Sequence, residues 1–427
     1  MLISEQDLLD YVAANPGVGR DDIRRNVTPN ASSTTLWRML KSLLAKNKLE
    51  VSGKGRATGY TLSGAAVVRA YLQTPYNRRK PARYRQEFLD SYVAGKTFYI
   101  PEAERTKLHE VGQPAIALPA GTYARRILER LLVDLSWASS RMEGNTYSIL
   151  ETERLIRLGQ EAAGRDRKEA VMILNHKEAI QYVVDNLAGI AISRRDICNI
   201  HALLADGLLV DPAMAGRLRQ LPVGITHSSY RPLGNQFEID AEFDVLMQKA
   251  AAITDAFEQS FFLLVHIPYL QAFDDINKRT SRVAANIPLL KAALAPMSFL
   301  TMDDRDYIDG LMGVYELNNV SLLREAYIDG YMASADNYNT LRAEVDMPDK
   351  AALVYRDFVR EAVRRCVLTW RSFQLDDVMA MAVEANIPEA DRPQVVEYVS
   401  QAFRTLHEGN AIRYRLSPAD LAKITSV

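Results

Sequence analysis

The chain has 427 residues, 48% of them hydrophobic and 25% charged, with a formal net charge of −1. Such values describe a globular protein of roughly two to four domains and exclude a uniformly basic nucleic-acid binder, so any such surface must be local. The only cysteines, Cys198 and Cys366, offer neither a disulfide framework nor zinc spacing, which points to a reducing cytoplasm. No apolar run reaches the ~18 residues of a membrane helix, and the opening Met-Leu-Ile-Ser-Glu-Gln-Asp is not a signal peptide.

In chain order, residues 1–64 form a first unit. Ser4 caps a helix carrying Leu8, Leu9 and Val12, which Asn15-Pro16-Gly17 ends. A short helix follows from Gly19 to Arg25. Ser32 to Thr35 opens a third, with Leu36, Met39, Leu40, Leu43 and Leu44 at helical spacing. Two strands, 49–51 and 60–62, flank the glycine-rich, basic loop 52–59. Three helices and a basic-tipped hairpin resemble a winged helix-turn-helix. In that arrangement Thr34, Thr35, Arg38 and Lys41 lie on the exposed face of the recognition helix, and Lys54 and Arg56 in the wing, as candidate DNA contacts. Winged helices also bind proteins. Residues 65–115 connect, with the basic run Asn77 to Arg85 read as a solvated segment.

Residues 116–340 read as mostly helical, with helices at about 122–141, 148–160, 169–188, 193–206, 240–264, 277–293 and 303–335. One break with strand character, 221–232, interrupts them. The most informative run is Gln271-Ala-Phe-Asp-Asp-Ile-Asn277-Lys-Arg279-Thr-Ser-Arg282. It reads as a turn feeding a helix that starts near Asn277. Such a start aims unpaired N–H groups and the positive dipole end at the turn, which makes an anion site. Arg279 and Arg282, three apart, share a face and can grip one anion. Asp275 is placed to hold a Mg²⁺ that a phosphate would bring. Residues 347–427 read as three helices ending in a short hairpin over 411–416, a second winged-helix-like module.

The run resembles the signature of Fic proteins, His-Pro-Phe-x-Asp/Glu-Gly-Asn-Gly/Lys-Arg-x-x-Arg. Phe273, Asp275, Asn277, Lys278, Arg279 and Arg282 match it, whereas Gln271 stands at the histidine position and Ile276 at the glycine position. The upstream run Ser139-Ser-Arg-Met-Glu143-Gly144 resembles the family's inhibitory pattern, Ser/Thr-x-x-x-Glu-Gly/Asn. The resemblance implies a mainly α Fic core with a β-hairpin flap, flanked by winged-helix-like modules. It implies a nucleotide held by Asn277, Lys278, Arg279, Arg282 and Tyr230, with Gln271, Asn277 and Arg279 at the catalytic positions. ATP and Mg²⁺ are the implied cofactors, with Asp275 the metal ligand. It pairs Glu143 with Arg282, in cis, where the γ-phosphate must go. The flap, with Ile225, Thr226 and Tyr230, is expected to offer a strand edge to a target protein.

In an active relative the histidine takes a proton from a target hydroxyl, which attacks the α-phosphate of ATP, and AMP is transferred. The Gln271 amide cannot accept that proton, a loss typically costing ~10²–10⁴ in rate. His266 and His227 are the nearest candidate substitutes. An isoleucine at a positive-φ position would be strained. These residues lead to a nucleotide-binding Fic protein, binding ATP or ADP, with a degenerate site and a DNA- or partner-binding module. An adenylyltransferase autoinhibited by Glu143 is the alternative, and a phosphotransferase of the reversed-nucleotide type a second. Lys278 favours the phosphotransferase and Arg282 disfavours it. A homodimer is a candidate assembly, and no membrane is expected.

Overall fold

The computed structural model describes residues 4–29, 32–53, 55–114, 119–340 and 354–421, and divides into two compact units, Met1–Thr340 and Leu341–Val427. The first begins with α1 (Glu5–Ala14), β1 (Val18–Gly19), α2 (Arg20–Asn26), α3 (Ser33–Ala45), β2 (Leu49–Ser52) and β3 (Gly59–Leu62). Ser4 and Asp7 close a capping box on α1, and the Ser32 hydroxyl caps α3. The strands form an antiparallel sheet in the order β1-β3-β2. Leu8, Val12, Ile23, Leu36, Leu40, Leu43, Leu49 and Tyr60 make a small core of their own.

Next come α4 (Gly64–Leu72), β4 (Ala82–Arg83), α5 (Gln86–Asp90), α6 (Glu102–Gly112), α7 (Ala120–Arg141), α8 (Ile149–Leu158), α9 (Arg167–Asp185) and α10 (Arg194–Ala205). The helical core is completed by β5 (Tyr230–Arg231), α11 (Gln236–Ala252), α12 (Ala256–Leu270), α13 (Asn277–Ala284), α14 (Asn286–Lys291), α15 (Asp304–Leu317) and α16 (Ser321–Thr340). The residues of α12 from Ser260 to Leu270 are all buried, as expected of a helix packed on every side. Against it pack α6, α11, α13, α14 and α15, and Tyr327 of α16 donates its hydroxyl to Ser260.

Four expectations change in the helical core, the smallest being that 277–293 is two helices, Asn277–Ala284 and Asn286–Lys291, parted at Ala285. The segment 240–264 is two helices, because the Asp255 carboxylate accepts the N–H groups of Phe257 and Glu258 and so starts a new one. The segment 303–335 is likewise two, broken where Asn318 turns left-handed at φ 52°. The flap is not a hairpin. Its only strand, β5, pairs in parallel with β4, with Ala82 opposite Tyr230 and Arg83 opposite Arg231. The preceding loop is held by side chains instead of a ladder. The Glu316 carboxylate accepts from the Ser228 and Ser229 hydroxyls at 2.7 and 3.0 Å, and from Tyr71 Oη at 2.8 Å, while Arg79 pairs with it at 3.3 Å.

The second unit contains α17 (Arg356–Arg365), α18 (Leu375–Glu384), α19 (Arg392–Arg404) and α20 (Pro418–Leu421). A π-helical turn over Cys366–Trp370 extends α17. The hairpin expected over 411–416 is a 3₁₀ turn, Ala411–Tyr414, ended by Arg415 at φ 53°. Ala411, Tyr414 and Leu416 need to reach the core formed by Val363, Cys366, Val378 and Val399, and the turn puts all three on that side. Among the described residues this unit has no strand, so its winged-helix-like reading is corrected to a helical one.

Candidate nucleotide site

The site begins where α12 stops. Gln271 is left-handed at φ 51°, and its amide Nε2 donates to the Pro268 carbonyl at 2.7 Å. Pro268 lies inside α12 and offers no N–H to the preceding turn, while the left-handed Gln271 ends the helix. Asn277 closes the turn from inside. Its Oδ1 accepts the Phe273 N–H at 3.0 Å, while its Nδ2 donates to the Phe273 carbonyl at 2.9 Å and to Gln271 Oε1 at 3.1 Å. Asn277 is thus spent on shaping the turn, and it leaves Gln271 with both ends of its amide engaged. Ile276, the N-cap of α13, sits at φ 67° with its side chain buried. The strain expected of a β-branched residue at the family's glycine position is present, and burial of the side chain offsets it.

Two residues without a local motif fasten this turn. Arg219 is 1% exposed and donates to the carbonyls of Gln271 (2.5 Å), Leu221 (2.8 Å) and Leu233 (2.5 Å). His201 stacks on Phe273 with ring centroids 3.9 Å apart, accepts the Gly216 N–H at Nδ1, and reaches the Asp275 carbonyl from Nε2 at 3.2 Å. The Asp275 carboxylate is 73% exposed and lies 3.7 Å from Arg279 Nη2.

On α13 the cations divide. Arg279 has a side chain 7% exposed, and its Nη1 has no hydrogen-bond partner among the described residues. Arg282 is fully buried. Its Nη2 donates to Glu143 Oε1 at 2.6 Å and to the Ser139 carbonyl at 3.0 Å, its Nε to Ser139 Oγ at 2.9 Å, and its Nη1 to Tyr307 Oη at 3.3 Å. The second oxygen of Glu143 meets Lys278 Nζ at 2.9 Å. Glu143 follows α7 at the turn where Gly144 takes φ 89°. Burial alone would push the Glu143 carboxyl up, but Arg282 and Lys278 outweigh it and hold the group at about 2. One carboxylate therefore occupies two of the site's three cations.

Other candidates fall elsewhere. Tyr230 is 2% exposed, donates its hydroxyl to the Tyr269 carbonyl at 2.6 Å and stacks between Tyr269 and Tyr315. It is a core residue with no free face for a nucleotide, which corrects its expected role. Ile225 is half-buried and Thr226 exposed on the loop before β5. Neither histidine substitutes for a base. His266 is packed among Phe88, Phe262 and Tyr99, bonds Tyr99 Oη at 2.8 Å, and is pulled down to about 3 by burial. His227 is exposed, edge-on to Tyr76. In the N-terminal module Thr34, Arg38 and Lys41 are exposed beside Trp37, and Thr35 is half-buried. Lys54 and the Arg56 side chain lie outside the described residues.

A mainly helical fold thus carries a turn that feeds α13, with two buried arginines behind it. The Fic/DOC family model matches residues 191–289, the segment that contains the turn and α13. The chain is similar to the protein adenylyltransferase Fic of Nematostella vectensis, 26% identical over 242 residues, covering 54% of this chain and 56% of the relative. It is also similar to the protein adenylyltransferase Fic of Aedes aegypti, 24% identical over 316 residues, 70% of this chain and 60% of the relative. The chain thus spans little more than half the length of these relatives. In fold it resembles a Fic family protein from Desulfovibrio desulfuricans G20, with a TM-score of 0.50 at 17% identity over 75% of this chain and 91% of that one. No described helix is long and apolar enough to cross a membrane.

Proposed function

We propose that this protein binds ATP or ADP in a Fic site that is held closed by Glu143 and transfers AMP poorly because Gln271 replaces the base. The carrying observation is the Glu143 carboxylate, bonded to both Arg282 and Lys278, while the neighbouring Arg279 keeps a buried donor without a partner. A buried unmatched donor is costly, and an anionic oxygen arriving there would satisfy it. Displacement of Glu143 would add the freed donors of Lys278 and Arg282, enough to hold a chain of phosphates. Asp275, a single exposed carboxylate, suits a Mg²⁺ that shares its coordination with phosphate oxygens and water. The metal would neutralise charge on those oxygens. Gln271 can orient a hydroxyl or a water by hydrogen bonding but cannot take its proton.

Incubation with ATP labelled at the α-phosphate tests this. Wild type should transfer nothing measurable. Glu143→Gly should bind ATP yet transfer at least ~10²-fold more slowly than the Glu143→Gly/Gln271→His double variant. Equal transfer by the single and double variants would favour the autoinhibited adenylyltransferase instead. Transfer of label from the γ-phosphate alone would favour the phosphotransferase.

The N-terminal module completes the reading. Its helix–strand order supports a winged-helix assignment, and the exposed Thr34, Arg38 and Lys41 on α3 suit phosphate and base contacts. We propose that it recruits DNA or a protein partner, with the nucleotide state of the site as the regulated variable.

A further inference from the structure

We infer that His176, on α9, is a positioning residue that fixes the orientation of the Arg282 guanidinium, so that the arginine stays aimed into the site after Glu143 leaves. The inference rests on the proposed nucleotide-binding function and goes beyond it, because no signature or inhibitory motif includes this residue.

The argument is one of donor and acceptor parity. His176 Nδ1 lies 2.8 Å from the Met172 carbonyl, which can only accept, so Nδ1 carries the proton. The ring is fully buried, and burial lowers its pKa to about 3. The imidazole is therefore neutral, and Nε2 is a bare acceptor. Ser139 Oγ stands 2.7 Å from that Nε2 and must donate its only proton to it. With its proton committed, the Ser139 oxygen turns its lone pairs outward and accepts Arg282 Nε–H at 2.9 Å. The Ser139 carbonyl takes one Nη2–H beside it. These two bonds grip one edge of the planar guanidinium and set its plane. On the opposite side, Arg282 Nη1–H donates to Tyr307 Oη at 3.3 Å. Among the described acceptors around Arg282, Glu143 alone is charged.

Removing Glu143 would leave this frame intact and free one Nη2–H, pointing where the carboxylate was. Without an acceptor at position 176, the Ser139 hydroxyl can rotate its proton toward the guanidinium, and a donor then faces a donor. A free carboxylate would be a poorer solution than imidazole, since it would neutralise the arginine that must bind phosphate. A neutral acceptor keeps the whole charge of Arg282 for the ligand.

The test uses the full chain in the Glu143→Gly background and measures ATP affinity by calorimetry. His176→Leu, which fills the space without an acceptor, should weaken ATP binding about tenfold. His176→Gln, whose Oε1 can stand in for Nε2, should restore most of it. In parallel, ¹⁵N–¹H correlation spectra of the wild-type imidazoles should show His176 neutral with the proton on Nδ1 at pH 7. Equal ATP affinity across Leu, Gln and His at position 176, or a proton on Nε2, overturns the inference. If Glu143→Gly itself fails to bind ATP, the proposed function fails, and the tautomer measurement still decides the parity argument. Should His176→Leu not fold, the Gln variant and the spectra decide alone.

Discussion

Glu143 carries the clearest consequence at the scale of single residues. Its carboxyl is held near 2, well below the ordinary 4.5. A depressed carboxyl stabilises the state that depresses it above its unfolded value, and the stabilisation is lost as pH falls through the folded value. The paired arrangement of Glu143 with Arg282 and Lys278 is therefore fully stabilised above about pH 4.5, and mild acid does not release it. The ratio of ATP affinities between Glu143→Gln and wild type should stay constant from pH 5 to 8 in titration calorimetry. A ratio that shrinks toward pH 5 would mean that Glu143 titrates there and is not paired as described. Gln271 adds a second point at this scale. Its amide is held by Pro268 and Asn277, so a histidine at the same position would inherit a ring-sized place already bordered by polar groups.

Among the elements, α15 does most of the joining. Asp304 at its start accepts from Arg141 of α7 at 2.7 Å, Tyr307 one turn on meets Arg282, and Glu316 near its end binds the connector and the loop before β5. The Glu316 side chain has no exposed surface, and its partner Arg79 is 9% exposed. Breaking such a pair from one side typically costs about 3–5 kcal/mol. Glu316→Ala should lower unfolding stability by that order and speed amide exchange at Ser229 to Arg231. Unchanged exchange there would show that the β4–β5 pairing alone holds the loop. The sequence makes some of this legible and not the rest, for a physical reason. Helices α1 and α3 announce themselves by apolar periodicity and caps, α7 and α10 by periodicity, and the turn before α13 by its charged residues in fixed register. The pairing of Glu143 with Arg282 follows from two recognisable motifs. The helix break at Asp255 is hidden inside an otherwise continuous apolar pattern. Arg219, His176 and Glu316 act on groups 52, 37 and 88 residues away, and no local pattern encodes such a meeting. Tyr230 misled because an aromatic on a strand serves a core and a ligand equally well, and burial alone separates them.

For the first unit as a whole, α4, which follows the N-terminal module, packs on the helical core. Ala65 and Val68 of α4 pack against Leu322, and a Cβ on Gly313 would come within 2.8 Å of both Val68 methyl carbons. Arg69 reaches both oxygens of Asp306 at 3.1 Å and pairs with Glu325, which also accepts from Asn47. Anything bound at α3 therefore rests on a base that is continuous with α15 and α16. If the occupant is DNA, gel shifts with genomic fragments should show binding that Arg38→Glu/Lys41→Glu weakens at least tenfold. The double variant should also flatten the dependence of log K on log salt by about 2, one unit for each lost phosphate contact. Equal binding by the double variant would remove α3 as the contact face, and no binding by wild type would leave a protein partner as the module's role.

The parallel pairing of Ala82–Arg83 with Tyr230–Arg231 fills one edge of the strand that the sequence reading offered to a target protein. The polypeptide has stationed its own tether along one border of the ribbon, so an extended guest must come in along the opposite border or evict the tether. Eviction would pull on the very segment that runs back to α4.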